Sequence, residues 1–180
     1  NTLLLIHGDG TNGDTVIGDD PSVRSLDSMS ITLAGDTQIS TTQSQFGGSS
    51  VYMDGTGDYM DIQDVATNNL DFGTDNFTIE WWQYLTSLDR FAIDMRDGSN
   101  GAKILLYSYP SDGSADDLYL WVNSANRITA SNCLSANSWQ HIVLQREDGT
   151  TRLFVDGSQV GSDYSDSTNY AHDEILKLSV

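Results

Sequence analysis

Between Phe46 and Trp82 the chain reads FGGSSVYMDGTGDYMDIQDVATNNLDFGTDNFTIEWW, a stretch that leaves room for little except short strands and tight turns. Val51 and Met53 on one side, and Tyr59 and Ile62 on the other, flank Asp54-Gly55-Thr56-Gly57-Asp58. Glycine turns the chain at positive φ and aspartate caps nearby amides, so this run reads as the loop of a β-hairpin. Phe77-Thr78-Ile79-Glu80-Trp81 then alternates apolar and polar residues, the period of a half-buried strand, and is expected to close the hairpin.

The rest of the chain has the same texture. Leu3-Leu4-Leu5-Ile6-His7 is a short apolar run that reads as a buried first strand, ended by Gly8-Asp9-Gly10. Residues 8–13 satisfy G-x-G-x-x-G, but β-branched residues, Gly18 and Pro21 follow where a phosphate-binding helix would have to start. Asp9 and Asp14 would also repel phosphate, so this is no nucleotide loop. Residues 22–45 alternate weakly, with Ile31, Leu33 and Ile39 as inward positions, and Leu70 and Phe72 anchor the polar connection before Phe77. Phe91–Met95 reads as a strand ended by Asp97-Gly98, and Lys103–Tyr109 pairs with Asp117–Val122 around Pro110-Ser111-Asp112-Gly113. Arg127–Ala130 is a shorter strand. In SWQHIVLQREDGTTRLFVDG, His141–Gln145 and Thr151–Val155 are strands joined across Asp148-Gly149, and Asp156-Gly157 starts another turn. No helical period and no solenoid repeat interrupts this pattern. The expectation is an all-β chain, a single domain over residues 1–180 built as a two-sheet antiparallel β-sandwich.

Charge narrows the partners. Twenty-six acidic residues face eight basic ones, a net charge of −18, and all the acids but Glu80, Glu147 and Glu174 are aspartates. That balance excludes nucleic acid, which needs a basic surface, and equally an anionic membrane. It suits a solvated acidic surface, a saline setting or cation binding. No apolar run reaches the length of a membrane span, so membrane insertion is not expected. Cys133 is the only cysteine, which rules out an intrachain disulfide and a cysteine-based zinc site. His7, His141 and His172 are widely separated. The chain opens on Asn1 with strand-like sequence already at Leu3, as if cut at a domain edge.

The run VYMDGTGDYMDI, followed by LDFGTDNFTIEWW, resembles the laminin-G-like, concanavalin A-like jelly-roll family. The later Trp139-x-His141 strand, the Asp-Gly turn and the run Leu153-Phe154-Val155-Asp156-Gly157 extend the resemblance over residues 46–161. At the N-terminus, LLLIHGDGTNGDT and GDTQISTTQSQFGGSSVYMDGTGDYM resemble segments of tailed-phage virion proteins, often tail or fibre components. The resemblance implies a jelly roll, an extracellular or virion location, an adhesive role and calcium at a sheet rim. It also makes Ile175–Val180 the strand before a final one that lies beyond this chain.

The jelly-roll hydrolases that this chain resembles use paired carboxylates; on one strand these would sit about 5–5.5 Å apart. Glu80 has Thr78 and Trp82 as its same-face neighbours, so no second acid stands at i±2. No serine lies in G-x-S-x-G. His141 beside Ile142 reads as a structural histidine. For calcium, Asp54 and Asp58 within DGTGD offer hard oxygen ligands, with a metal-free capped turn as the alternative; Asp9 and Asp14 read more simply as turn residues. Pyranose rings stack on exposed aromatic faces. With Phe77, Ile79 and Trp81 inward, Trp82 and Tyr84 face outward, and Tyr107, Tyr109, Tyr119 and Trp121 lie on strands that could present them together. Trp81 and Trp139 are expected in the core. The sequence therefore predicts a non-catalytic carbohydrate-binding module that meets host-surface glycan through Trp82, Tyr84, Tyr107, Tyr119 and Trp121, with calcium at Asp54 and Asp58. The alternative is a structural domain that docks only protein, either a neighbouring virion or filament protein or another copy of this chain.

Overall fold

The computed structural model describes residues 2–17, 29–64, 70–88, 91–96, 103–109, 111, 113–171 and 175–179. The turns expected at Asp97-Gly98 and Pro110–Asp112 fall wholly or partly outside these residues, as do Gly18, Pro21 and His172. The described residues contain strands, turns and irregular segments but no helix. They divide into two compact units, Asn1–Leu70 with Glu174–Val180, and Asp71–Asp173.

The first unit holds β1 (Met29–Ala34), β2 (Gln38–Ser40), β3 (Ser50–Tyr52), β4 (Tyr59–Asp64) and, near the end of the chain, β13 (Ile175–Ser179). β4 runs antiparallel to both β1 and β13, so Ile62 stands opposite Ile31 and Leu176, and Met60 opposite Leu33 and Leu178. Ile62 and Met60 are buried. The other face carries Asp61, whose Oδ1 lies 3.4 Å from Lys177 Nζ.

Two sequence expectations change here. DGTGD does not close a hairpin, because β3 pairs with β2 whereas β4 pairs with β1 and β13. The run is a crossover between sheets, and Asp58 holds it. Asp58 is 2 % exposed and accepts the Asp36 amide at Oδ1 (2.7 Å) and the Asp54 amide at Oδ2 (2.6 Å). Leu3–His7 forms no continuous strand, only a single bridge at Ile6, and Leu5 is 39 % exposed. The segment after it supplies the ladder instead: Gly13 N–H donates to Ile39 O and Ile39 N–H to Asp14 O, each at 2.8 Å. The Asp14 carboxylate caps Thr11 N at 2.8 Å, so GDGTNGD acts as a turn.

The second unit is a two-sheet sandwich. It holds β5 (Phe77–Tyr84), β6 (Phe91–Asp94), β7 (Leu105–Ser108), β8 (Leu118–Val122), β9 (Ala125–Ala130), β10 (Trp139–Glu147), β11 (Thr150–Val155) and β12 (Ser158–Ser165). One sheet runs β6-β7-β8-β9 and the other β12-β11-β10-β5. Each sheet buries one face, with the clearest alternation on β7, β10 and β11: Leu106, Leu120 and Ile128 on one, Ile142, Leu144 and Leu153 on the other. Each such side chain contributes about 1.5–3 kcal/mol by leaving water. The hairpin loops follow the strand twist: Asn123-Ser124, Asp148-Gly149 and Asp156-Gly157 all have positive φ at both central positions, as a type I′ turn requires. Gly161 marks the close approach of β12 to β9, since a Cβ there would lie 2.5 Å from Ile128 Cγ2.

A buried cation ties the irregular ends of this unit. Arg146 on β10 is 1 % exposed and donates to the Gly73, Asp75 and Thr168 carbonyls at 2.5–2.9 Å. Its guanidinium lies 5.0 Å from the Phe77 ring, 4.9 Å from that of Tyr170, and 3.8 Å from Asp166 Oδ2. Asp166 is itself satisfied by Thr151 Oγ1, Tyr170 O–H and the Thr168 amide. Burial, with Asp166 alongside, drives the Tyr170 hydroxyl well above its ordinary pKa.

Candidate functional site

Both outward faces of the second unit carry aromatic residues. On the β5–β10 face, Trp82 stands opposite His141 and Tyr84 opposite Trp139. Trp82 is 40 % exposed and stacks on the His141 ring with centroids 5.0 Å apart at 18°; Tyr84 and Trp139 meet at 5.7 Å. Glu80 Oε2 lies 3.2 Å from His141 Nε2. Trp139 is therefore a half-buried outward residue and not a core one, because β10 alternates the opposite way: Gln140, Ile142 and Leu144 point in. Val143 and Phe154, paired across β10 and β11, extend this face as half-buried apolar surface.

On the β6–β9 face, Leu105 pairs with Trp121 and Tyr107 with Tyr119, which places the four in two adjacent rows. Tyr107 stacks on Tyr119 at 5.2 Å and its hydroxyl donates to Asn126 Oδ1 at 3.1 Å. Tyr119 is only 3 % exposed, so it forms the support beneath Tyr107 and offers little contact surface of its own. Its hydroxyl donates to Asp117 Oδ2 at 2.9 Å. The Asn132 amide foremost, with the Ser114 amide and Tyr119 hydroxyl, holds the Asp117 carboxyl below the usual aspartate range against the opposing effect of desolvation.

Trp121 is half-buried, and the Arg96 guanidinium lies over its ring at 5.5 Å. Arg96 in turn makes a bidentate pair with Asp94, whose hydrogen bond raises its pKa further. Asp94, Arg96 and Asn126 are absent from the sequence-predicted set. Alternation in Ile93-Asp94-Met95-Arg96 carries the signal, since Ile93 and Met95 are buried and their neighbours therefore face out. Trp82 and Tyr84 thus share one face, Tyr107, Tyr119 and Trp121 the other. Tyr109 is 38 % exposed just past β7.

Asp54 and Asp58 lie in the first unit. Asp54 Oδ1 accepts the Thr56 amide at 2.7 Å, and both Asp58 oxygens are taken by amides. Calcium wants six to eight oxygens with open carboxylate edges. Among the described residues no group of three or more His, Cys, Asp or Glu is arranged to hold a metal. Asp54 and Asp58 thus serve as caps that tie the crossover to backbone amides. Burial pushes the Cys133 thiol up to about 11, away from the thiolate form.

Two antiparallel sheets with buried inner faces and aromatic outer ones make this a lectin-like β-sandwich of the jelly-roll class. Residues 54–175 match the family described as the concanavalin A-like lectin/glucanases superfamily, in its laminin G branch, and the chain belongs to that family. Among solved structures it is similar to the binding domain of botulinum neurotoxin DC in complex with SialylT, with 10 % identity, TM-score 0.61, and coverage of 98 % of this chain and 42 % of that one. It is also similar to the potassium-bound Emp46p carbohydrate recognition domain, with 11 % identity, TM-score 0.57, and coverage of 86 % and 81 %. Domains LG4-5 of the mouse laminin α1 chain match with 19 % identity, TM-score 0.51, and coverage of 69 % and 32 %. At such identities the likeness is one of fold. No curated protein matches the chain in sequence. No helix among the described residues is long and apolar enough to cross a membrane.

Proposed function

We propose that this chain is a non-catalytic, calcium-independent carbohydrate-binding module of an extracellular or virion protein, with its site on the β6–β9 face. The observation that carries the reading is the diagonal pair of Trp121 and Tyr107, in neighbouring rows of adjacent strands, edged by Arg96, Asp94 and Asn126. A ring face next to directional polar groups is what a pyranose needs: stacking for its C–H face and hydrogen bonds for its hydroxyls. Like-folded structures that include a carbohydrate recognition domain and a toxin domain bound to SialylT support it at the level of fold. The non-catalytic part is supported by Glu80, which faces His141 and has Val143, not a second acid, as its cross-strand neighbour. The virion setting rests on the N-terminal likeness to phage proteins.

A second reading is favoured by one observation. Trp82, Tyr84, Trp139, Val143 and Phe154 give the β5–β10 face an apolar character suited to a neighbouring protein in an assembly. A glycan array probed with folded chain, in calcium and again in chelator, separates the two. Selective binding that survives chelation, falls at least tenfold in Trp121→Ala and persists in Trp82→Ala is expected. A blank array from folded protein would turn the assignment to the structural reading.

A further inference from the structure

The strand β6 ends in a fork. Arg96 Nε donates to Asp94 Oδ1 at 2.8 Å, Nη2 to Oδ2 at 2.7 Å, and the Arg96 amide to Oδ1 at 2.9 Å. Both side chains stay partly open, 29 % exposed for Arg96 and 25 % for Asp94. A guanidinium has five N–H donors and each carboxylate oxygen accepts about two hydrogen bonds. The fork engages two of those donors, so donors remain on Arg96 and acceptor capacity remains on Asp94 Oδ2. The same guanidinium lies over Trp121. One small patch therefore combines a ring face, donors and an acceptor, with its two charges cancelling at contact distance.

We infer that the Asp94–Arg96 fork reads the hydroxyls of a neutral pyranoside seated on Trp121, and that it selects neutral over acidic glycans. The inference rests on the carbohydrate-binding reading above and adds the ligand class. An acidic sugar could reach only the donors the fork leaves free on Arg96, beside an Asp94 carboxylate that already neutralises the guanidinium and repels a second anion. It would also approach a chain of net charge −18. Two adjacent sugar hydroxyls meet neither obstacle, since each both donates and accepts: one can give to Asp94 Oδ2 while the other takes from Arg96. Lysine could replace the charge at position 96 but not the planar fork.

The test titrates the full chain against neutral, sialylated, sulfated and uronate-bearing oligosaccharides of matched length, at low and moderate salt. Arg96→Lys, Asp94→Asn and Trp121→Ala are run alongside, each checked by cooperative melting. The expected result is binding of neutral sugars with little salt dependence, weakened at least tenfold by Arg96→Lys and by Trp121→Ala. Asp94→Asn, which releases the Arg96 charge, should raise the acidic-to-neutral affinity ratio, a shift that loss of a merely structural pair would not produce. If Asp94→Asn fails to fold, Arg96→Lys carries the test, because it preserves charge and volume. A native chain that prefers acidic sugars in a Trp121-dependent way overturns the selectivity but leaves glycan binding intact. Neutral binding indifferent to Arg96→Lys overturns the role of the fork. No binding to any sugar by folded chain overturns the reading beneath it.

Discussion

At the scale of single residues, Asp117 shows how one carboxylate can serve both stability and site. It accepts the Asn132 amide at 2.8 Å, the Ser114 amide at 3.2 Å and the Tyr119 hydroxyl at 2.9 Å, and so fixes the ring on which Tyr107 stacks. Those bonds favour the charged form, so the folded-state pKa lies below the unfolded value of about 3.9. A depressed carboxyl contributes stability that is fully present above the unfolded pKa and is lost as pH falls through the folded one. Melting temperature followed from pH 6 down to pH 2.5 should show Asp117→Asn less stable than the native chain at pH 6. The gap should close progressively below about pH 4, as the native carboxyl also becomes neutral. A gap that stays constant over the whole range would mean the charge is irrelevant.

At the scale of elements, the Arg146 clasp joins the segment before β5 to the one after β12, where Gly73 and Tyr170 also exchange backbone hydrogen bonds. Arg146→Met leaves three carbonyls without this donor and Asp166 buried without its cation. Breaking such a buried pair costs about 3–5 kcal/mol, which for a chain of this size lowers Tm by roughly 6–20 °C. Adding Asp166→Asn should cost less than the sum of the two single changes, and calorimetry on the four proteins measures that coupling. A loss under 1 kcal/mol for Arg146→Met would show that the clasp is not holding the sheet. None of this was legible in the sequence, where Arg146 is one charge among polar residues on an alternating strand. The β10–β11 hairpin was legible, because Asp148-Gly149 states both the turn and its type. The β8–β9 hairpin was harder to see: Asn123-Ser124 adopts the same turn without a glycine. β12 was hidden because SQVGSDYS is polar on both faces, with only Val160 and Tyr164 half-covered. At DGTGD the turn chemistry was read correctly and the pairing was not. Asp58 bonds an amide 22 residues away, a partner that no local pattern encodes. At the site, the aromatic residues stood out in the sequence, whereas Asp94 and Arg96 needed the parity of β6 to be known.

At the scale of the whole molecule, eight basic residues cannot neutralise 26 acidic ones, so most carboxylates have no cation to pair with. Several of the cations are already committed to local partners, Arg96 to Asp94, Arg146 to backbone carbonyls and Arg152 to Asp163. Repulsion among the remaining aspartates is stronger in the compact state than in the expanded unfolded chain, so it opposes folding. Screening relieves it, because the Debye length shrinks from about 30 Å at 0.01 M salt to about 3 Å at 1 M. Tm at pH 7 should therefore rise by a few degrees between these limits, whereas a chain stabilised mainly by exposed ion pairs would lose stability. Calcium discriminates further. At matched ionic strength, calcium chloride should act no differently from sodium chloride if Asp58 is a backbone clamp. A saturable extra stabilisation at micromolar calcium, abolished by Asp54→Ala, would instead reveal a bound ion. The same salt series bears on recognition: neutral-glycan affinity should stay nearly flat while stability climbs, because the Asp94–Arg96 fork carries no net charge. A steep loss of affinity with salt would show that an unpaired cation, and not the fork with its aromatic platform, does the binding.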